Sequence, residues 1–135
     1  ASFHGRDVFA PVAAHLWRGV PLERLGAPCP TPTTLKVAVP TAGEEETLRG
    51  EVLWVDHFGN LVTNIPAALV FDRAHVVASG IDIGPVLRSY CDVAKGELLA
   101  MIGSFGHLEI AMCMGSAAEA LAAERGAEVL LRPGS

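Results

Sequence analysis

From residue 48 onward the chain consists of short β-forming segments separated by glycine-rich turns. Such segments predict short strands that alternate with turns. One short helix is predicted, from Ser116 to about residue 123, because Ser116 and Glu119 have the spacing of a capping box. The strands are predicted at 35–39, 52–55, 61–65, 74–78, 85–90, 97–102, 107–112 and 128–131. This pattern predicts a mostly β fold built around a small β-barrel.

The first 34 residues have a different pattern. Asp7 is a suitable N-cap, and the apolar residues that follow it have helical spacing up to Gly19, so we predict a short helix over residues 8–18. Residues 21–34 contain four prolines and few periodic apolar positions, which is typical of a linker between domains. The chain has no initiator methionine, and we expect it to be a fragment or one half of a split protein.

Residues 52–66 predict a hairpin that could carry a binding site. The predicted turn is His57-Phe58-Gly59-Asn60, in which Gly59 and Asn60 would supply positive backbone dihedrals. Phe58 and Asn60 would lie at the lip of the hairpin. An amide can pair with the N6 and N7 edge of adenine while an aromatic ring covers its face. The alternative is a hairpin whose phenylalanine caps the core and whose asparagine only shapes the turn.

Three other positions are candidates for chemistry. His4, between Phe3 and Gly5 and beside the cationic Arg6, could act as a base from a loop, or it could be a structural loop histidine. The segment from Gly103 to Gly106 contains Ser104 and could bind a small charged group, or it could be a plain hairpin loop. Tyr90, the only tyrosine, could stack on a planar ligand or cap the core.

Composition excludes several classes of partner. The net charge is −5 and no basic cluster is present, which argues against nucleic acid and anionic membranes. The three cysteines match neither a zinc site nor a disulfide framework, so we expect a reducing cytosol. No apolar run has membrane-spanning length. The five histidines lack metal-ligand spacing and no cofactor motif is present, so neither a metal nor a cofactor is expected.

Three separated segments together resemble one family. They read FHGRDVFAPVAAHL, VDHFGNLVTNIP and, after Tyr90, GELLAMIGSFGHLEIAMCMGSAAEAL. These segments resemble the S-adenosyl-L-methionine (SAM) hydroxide adenosyltransferases, relatives of the SAM-dependent chlorinase and fluorinase. The resemblance implies an N-terminal α/β domain followed by a C-terminal β-barrel, with the ligand between one subunit's N-terminal domain and its neighbour's barrel in a homotrimer. Residues 1–20 would then be the tail of the first domain, 21–34 the linker and 35–135 the barrel.

The resemblance also implies a reaction. Water would attack the ribose 5′ carbon of SAM to give adenosine and L-methionine, with His4 in the position of the family's water-activating histidine and Phe3 and Gly5 beside it. Gly5 falls where the fluorinase has a halide-binding serine, which disfavours fluoride. The histidine's Asp and Arg partners belong to the N-terminal domain, absent from this chain. We expect the chain to be inactive unless the same polypeptide or a separate chain supplies that domain.

In the barrel, the resemblance assigns six substrate-binding residues. Phe58 and Asn60 match the residues that contact adenine, Tyr90 matches an aromatic residue that stacks on the base, and Ser104 matches a serine at the methionine end. Phe105 replaces a halogenase arginine, and the backbone near Met114 matches a main-chain contact to adenine. Relatives more often carry a polar residue in the stretch Met112-Cys113-Met114, which disfavours a side-chain contact to the base from this strand.

Alternatives to SAM hydrolysis remain open at this stage. Chloride could be the physiological nucleophile instead of water. The barrel could also be a non-catalytic module that binds adenosine or SAM, or it could serve only oligomer assembly.

Overall fold

The computed structural model describes residues 3–134. It divides into two compact units, Ala1–Leu35 and Lys36–Ser135. The assignment of the first residues to the tail of an α/β domain stays a prediction. No helix within residues 3–134 has the length and apolar character needed to cross a bilayer.

The first unit contains the predicted helix, which begins earlier than expected. A π-helical stretch, Gly5–Phe9, leads into the α-helix α1, Ala10–Trp17, and a 3-10 helix follows at Leu22–Arg24. The predicted loop around His4 is therefore wrong, because these residues already have helical backbone. Asp7 is inside the helical segment and its carboxylate binds the guanidinium of Arg6 at 2.6 and 3.0 Å. The acidic group thus pairs with a side chain instead of capping the helix.

The second unit is the predicted β-barrel. The strands are β1 Thr41–Ala42, β2 Leu48–Val55, β3 Leu61–Pro66, β4 Ala74–Ala78, β5 Ile81–Leu87, β6 Leu98–Ile102, β7 His107–Met112 and β8 Glu128–Pro133. Seven of them pair in the order β2-β3-β7-β6-β5-β4-β8, and β8 pairs again with β2, which closes the sheet. Neighbouring strands are antiparallel except for β5 and β6, and the two-residue β1 adds to the edge of β2.

Alternating side chains of the strands fill the barrel. In β4 the buried side chains are Ala74, Val76 and Ala78, and in β8 they are Val129 and Leu131, as expected when one face of a strand is turned to the core. The helix α2, Ala117–Leu121, buries its first and last residues against the same core. Its N-cap is confirmed, because Oγ of Ser116 accepts a hydrogen bond from the backbone N–H of Glu119 at 3.2 Å.

One predicted strand is absent from the structure and one is misplaced, whereas β2, β6 and β8 differ from the prediction only in their ends. Residues 35–39 form no strand; the carbonyl of Ala38 accepts instead from the amide of Asn64 at 3.1 Å, and Pro40 cannot donate to a ladder. The strand predicted at 85–90 is β5, which begins earlier and continues through Gly84-Pro85 beside a register shift in its pairing with β4. Tyr90 therefore opens a 3-10 turn, Tyr90–Asp92, capped by Ser89.

Candidate functional site

The turn between β2 and β3 is organised by the carboxylate of Asp56. Its Oδ1 accepts hydrogen bonds from the backbone N–H groups of Phe58 and Asn60, at 2.8 and 2.9 Å. Gly59 has a φ of 85°, whereas Asn60 is not among the residues with positive φ, so the prediction that both supply such dihedrals is wrong for Asn60. The turn leaves the ring of Phe58 75% exposed and buries Asn60 to 6% exposure. The side chain of Asn60 therefore lies inside the turn, whereas the ring of Phe58 faces outward.

The amide of Asn60 is fixed in one orientation. Its Nδ2 donates to Oδ2 of Asp56 at 2.9 Å and to Oη of Tyr90 at 3.2 Å. A carboxylate only accepts hydrogen bonds, so the nitrogen must face Asp56 and Oδ1 is the remaining polar atom. This oxygen accepts no hydrogen bond from residues 3–134. The arrangement offers an acceptor for an amino group but no spare donor for the expected two-point contact with N6 and N7.

Tyr90 extends this network to a buried carboxylate. Its Oη donates to Oε1 of Glu109 at 3.2 Å, and Glu109 is 8% exposed. Burial raises the pKa of Glu109, the hydrogen bond from Tyr90 lowers it, and the charge of Asp56 raises it again. The pKa of Tyr90 is raised by burial and by the negative charge of Glu109. Tyr90 therefore stays a phenol, able to donate to the carboxylate.

Two neighbouring cavities share Phe58, Asn60 and Tyr90. The first, of about 460 Å³, also has Met112, Cys113, Met114 and Gly115 in its wall, and we call it the apolar cavity. The second, of about 320 Å³, is the acidic cavity; its remaining lining residues are Asp56, Val62, Met101, Gly103, Ser104, Phe105 and Glu109. Both volumes lie in the range of small-molecule sites, which is about 300–1,000 Å³. The structure thus brings all six predicted barrel residues to one place.

The segment from Gly103 to Gly106 is a hairpin loop and also part of the site. Gly103 N–H donates to the carbonyl of His107 at 2.9 Å, which closes the loop between β6 and β7. Ser104 is exposed, and the ring of Phe105 meets Trp54 edge-on at 5.6 Å between centroids. A side chain at position 103 would collide with the carboxylate of Glu109. The loop therefore passes close to that buried group, and a side chain at position 103 would require the carboxylate to move.

Phe3, His4 and Gly5 belong to the other unit, at the start of its helical segment, and all three are exposed. The side chain of His4 caps no backbone group there. The guanidinium of Arg6, expected to provide a cation near His4, is bound by Asp7 and lies 4.8 Å from the ring centroid of Phe3. The catalytic role of His4 stays a prediction.

Sequence reasoning missed two residues of the site, Asp56 and Glu109. Asp56 stands two residues before Phe58, the spacing at which an aspartate accepts hydrogen bonds from a turn. Glu109 interrupts an apolar strand, LEIAM, between buried Leu108 and Ile110. A charged residue in the middle of such a run is a signal that could have been used, because buried carboxylates are uncommon.

Together these observations define a closed β-barrel domain with two adjoining cavities that are lined by the predicted barrel residues. A family model, the SAM hydroxide adenosyltransferase C-terminal domain, matches residues 50–130, and the chain belongs to this family. Within residues 3–134, no group of His, Cys, Asp and Glu side chains is arranged to hold a metal ion.

The chain is similar over most of its length to two proteins named (R)-S-adenosyl-L-methionine hydrolase. The protein from Thermus thermophilus is 43% identical over 97% of the chain, and the one from Salinispora tropica is 38% identical over 90%. The chain spans 49% and 47% of these relatives.

Two crystal structures of conserved proteins share the fold. One, from Thermotoga maritima, has a TM-score of 0.74 at 41% sequence identity. The match covers 96% of this chain and 52% of the Thermotoga maritima chain. The other, from Thermus thermophilus, has a TM-score of 0.68 at 42% sequence identity. The match covers 97% of this chain and 51% of the Thermus thermophilus chain.

The raised pKa of Glu109 predicts how stability depends on pH. The folded protein holds this proton to a higher pH than the unfolded chain, so the free energy of unfolding falls as pH rises from the ordinary carboxyl value through the folded pKa. Glu109→Gln removes this loss. The stability of the variant relative to wild type should therefore increase as the pH rises from the ordinary carboxyl value through the raised pKa of Glu109, measured by urea unfolding.

Asp82→Asn is the matched control, and its stability relative to wild type should change with pH in the opposite direction. The hydrogen bond from His75 lowers the pKa of Asp82, so this carboxylate stabilises the fold above its unfolded pKa and the contribution is lost on acidification. The variant should lose stability relative to wild type as pH rises through that acidic range. If the difference in unfolding free energy between Glu109→Gln and wild type does not change with pH, the raised pKa of Glu109 is contradicted.

Proposed function

We propose that this barrel binds the adenosine part of SAM and that the intact protein hydrolyses SAM to adenosine and L-methionine. The observation that carries the proposal is the pair of adjoining cavities that share Phe58, Asn60 and Tyr90, one apolar and the other acidic. The apolar cavity suits a purine, and the acidic cavity suits a cationic amino-acid chain. The names of the similar proteins support the same reaction.

Adenine recognition would combine stacking with a few polar contacts. The exposed side chains of Phe58 and Met114 form walls of the apolar cavity, and Tyr90 lies at the boundary with the acidic one. The Oδ1 atom of Asn60 would accept from the exocyclic N6 amine. Met114 has a φ of 55° and makes no backbone hydrogen bond within residues 3–134, so its main chain is available to the base. Side chains at Met112 and Cys113 add an apolar surface only.

The reaction needs positioning more than activation of the leaving group. The sulfonium of SAM departs as a neutral thioether, so the protein must exclude bulk water and hold one water molecule in line with the ribose 5′ carbon. His4 would accept the proton of that water, a role suited to imidazole near neutral pH. Phe3 and Gly5 would shape the surroundings of this histidine and its water.

The site would be completed by a second subunit. We propose a homotrimer in which the rim of each barrel faces the N-terminal domain of a neighbour, supplied by the same polypeptide or by a separate chain. Large apolar side chains stand exposed at this rim, as is common at interfaces and binding sites; they are Trp54, Phe58, Phe105 and Met114. The three free cysteines support a cytoplasmic location.

Product analysis tests the proposed function. The intact protein incubated with SAM in oxygen-18 water should yield methionine and adenosine labelled at the 5′ hydroxyl, detected by chromatography with mass spectrometry. Added chloride should give no 5′-chloro-5′-deoxyadenosine. Stable binding of SAM without products would instead indicate a binding module, and chlorinated product would indicate a chlorinase.

Phe58→Ala should weaken nucleoside binding selectively. Loss of base stacking costs about 1–3 kcal/mol, so adenosine affinity should fall about 5- to 150-fold. Because the ring is exposed, the melting temperature should stay close to wild type. Calorimetric titration with adenosine measures the loss, and Leu69→Ala, another exposed apolar residue outside both cavities, is the control. Unchanged adenosine affinity in Phe58→Ala would show that Phe58 does not contact the bound nucleoside.

A further inference from the structure

The two oxygens of the Asp56 carboxylate bind different kinds of donor. Oδ1 accepts from the backbone N–H groups of Phe58 and Asn60, and these bonds hold the turn between β2 and β3. Oδ2 accepts from the side-chain Nδ2 of Asn60 at 2.9 Å. One oxygen therefore shapes the turn, while the other binds the side-chain amide of a residue that lines both cavities.

The direction of the Asn60 amide depends on its partners. A primary amide has nearly the same shape in its two orientations, so hydrogen bonds decide which end faces a ligand. Nδ2 of Asn60 donates to Oδ2 of Asp56 and to Oη of Tyr90. A phenol can donate as well as accept, so Tyr90 could serve either orientation by redirecting the hydrogen bond that it now donates to Glu109. A carboxylate only accepts, so Asp56 is the partner that excludes the reversed amide.

The fixed amide leaves one oxygen for a ligand. Asn60 is more than nine-tenths buried, and its Oδ1 accepts no hydrogen bond from residues 3–134. No side-chain nitrogen or oxygen of the described residues is both fully enclosed and unpartnered, so this oxygen stays open to the cavity space. A buried acceptor gains from an amino group and loses against a second acceptor. The group at C6 of a purine is such a donor in adenine and such an acceptor in 6-oxo purines.

We propose that Asp56 is the positioning residue that makes this site select 6-amino purines over 6-oxo purines. This inference rests on the proposed function, which places the N6 amine of the base at Oδ1 of Asn60. Asp56 does not contact the base and acts through the direction in which it holds the Asn60 amide. Adenosine then satisfies Oδ1, whereas the 6-oxo group of inosine would place a second acceptor against it.

Asp56→Asn exchanges one oxygen for an NH2 group at nearly constant size. The backbone N–H groups of Phe58 and Asn60 would keep the remaining oxygen, so the new NH2 group would take the place of Oδ2 beside the Asn60 amide. That amide would turn its own oxygen toward the new donor and its Nδ2 toward the cavity, where it can donate to a 6-oxo group. The ratio of adenosine affinity to inosine affinity should therefore fall by at least about tenfold.

Three nucleosides separate this effect from a general loss of structure. Calorimetric titration of the intact protein gives affinities for adenosine, inosine and purine riboside, which has no substituent at C6. Purine riboside affinity in Asp56→Asn should stay within about twofold of wild type, because this ligand neither donates nor accepts at C6. Tyr90→Phe keeps the aromatic ring and the contact of Asp56 with the amide, so its adenosine-to-inosine ratio should stay within about twofold.

Asp82→Asn is the matched control for the carboxylate. Like Asp56, Asp82 accepts a hydrogen bond from the backbone N–H two residues further on, that of Gly84 at 3.0 Å. It lines neither cavity, so its variant should bind all three nucleosides within about twofold of wild type.

Each other outcome overturns a definite statement. Equal weakening of all three nucleosides in Asp56→Asn would show a role in the turn alone and remove the selectivity assignment. A ratio that falls in Tyr90→Phe but not in Asp56→Asn would assign the orientation of the amide to Tyr90 instead. If wild-type protein binds adenosine and inosine equally, the inference fails while nucleoside binding stands. If wild-type protein binds none of the three nucleosides, the proposed function itself fails.

Discussion

His4→Ala is expected to lower kcat for SAM hydrolysis by a factor of about 10² to 10⁴, the usual contribution of a general base. The water would then have to attack the 5′ carbon without transfer of its proton to imidazole. Adenosine affinity should change little, since the residues proposed to hold the base all belong to the barrel. Steady-state rates and adenosine titrations on the intact protein measure the two effects separately.

His15→Ala is the matched control for this experiment. His15 is an exposed histidine in α1, in the same unit as His4, so it tests for a general effect of losing an imidazole there. Its kcat should equal that of wild type. If His4→Ala retains wild-type kcat, the proposed role of the histidine is wrong even though the barrel site could still bind adenosine.

Gly59→Ala is expected to destabilise the barrel by about 2–4 kcal/mol. Gly59 has a φ of 85°, a conformation that costs energy for any residue with a side chain. An added Cβ would also collide with the hydroxyl of Ser116 and lie 2.6 Å from its Cβ and 3.0 Å from its Cα. The turn and the N-terminus of α2 would have to separate, which also breaks the hydrogen bond from Ala118 N–H to the carbonyl of Gly59.

Gly80→Ala separates the cost of a positive φ from the cost of the collision with Ser116. Gly80 has a φ of 78°, but a Cβ there would meet nothing within 4 Å. This variant should lose only the cost of placing a residue with a side chain at a positive φ, about 1 kcal/mol of stability. Urea unfolding of both variants gives the difference, which isolates the collision with Ser116. Equal losses in the two variants would show that the turn and α2 are not packed as described.

The barrel could be predicted from sequence because its strands carry local signals. The β4 and β7 segments are rich in apolar residues and are bounded by glycine at one end, and the sequence predicts both with the bounds that the structure has. The β5 segment was misplaced because Gly84-Pro85 resembles a break, and only pairing on both sides keeps it extended. Strand pairing between distant segments is a tertiary effect that propensity does not encode.

The sequence predicts six of the residues that line the two cavities, but neither Asp56 nor Glu109 nor the hydrogen bonds among them. The family resemblance groups Phe58, Asn60 and Tyr90 at the base, and all three line both cavities in the structure. The orientation of the Asn60 amide depends on Asp56 and Tyr90, and the latter lies 30 residues away. The carboxylate of Glu109 lies close to Gly103, in the turn between β6 and β7. Such properties arise from contacts across the fold, so the order of residues alone could not give them.

The position of adenosine bound to the protein tests the central claim most directly. A structure of the intact protein with adenosine should show the base in the apolar cavity between Phe58 and Met114, with its N6 amine within hydrogen-bond distance of Oδ1 of Asn60. Adenosine bound elsewhere, or an Asn60 amide left without a contact to the base, would contradict the claim that this barrel rim is the nucleoside site.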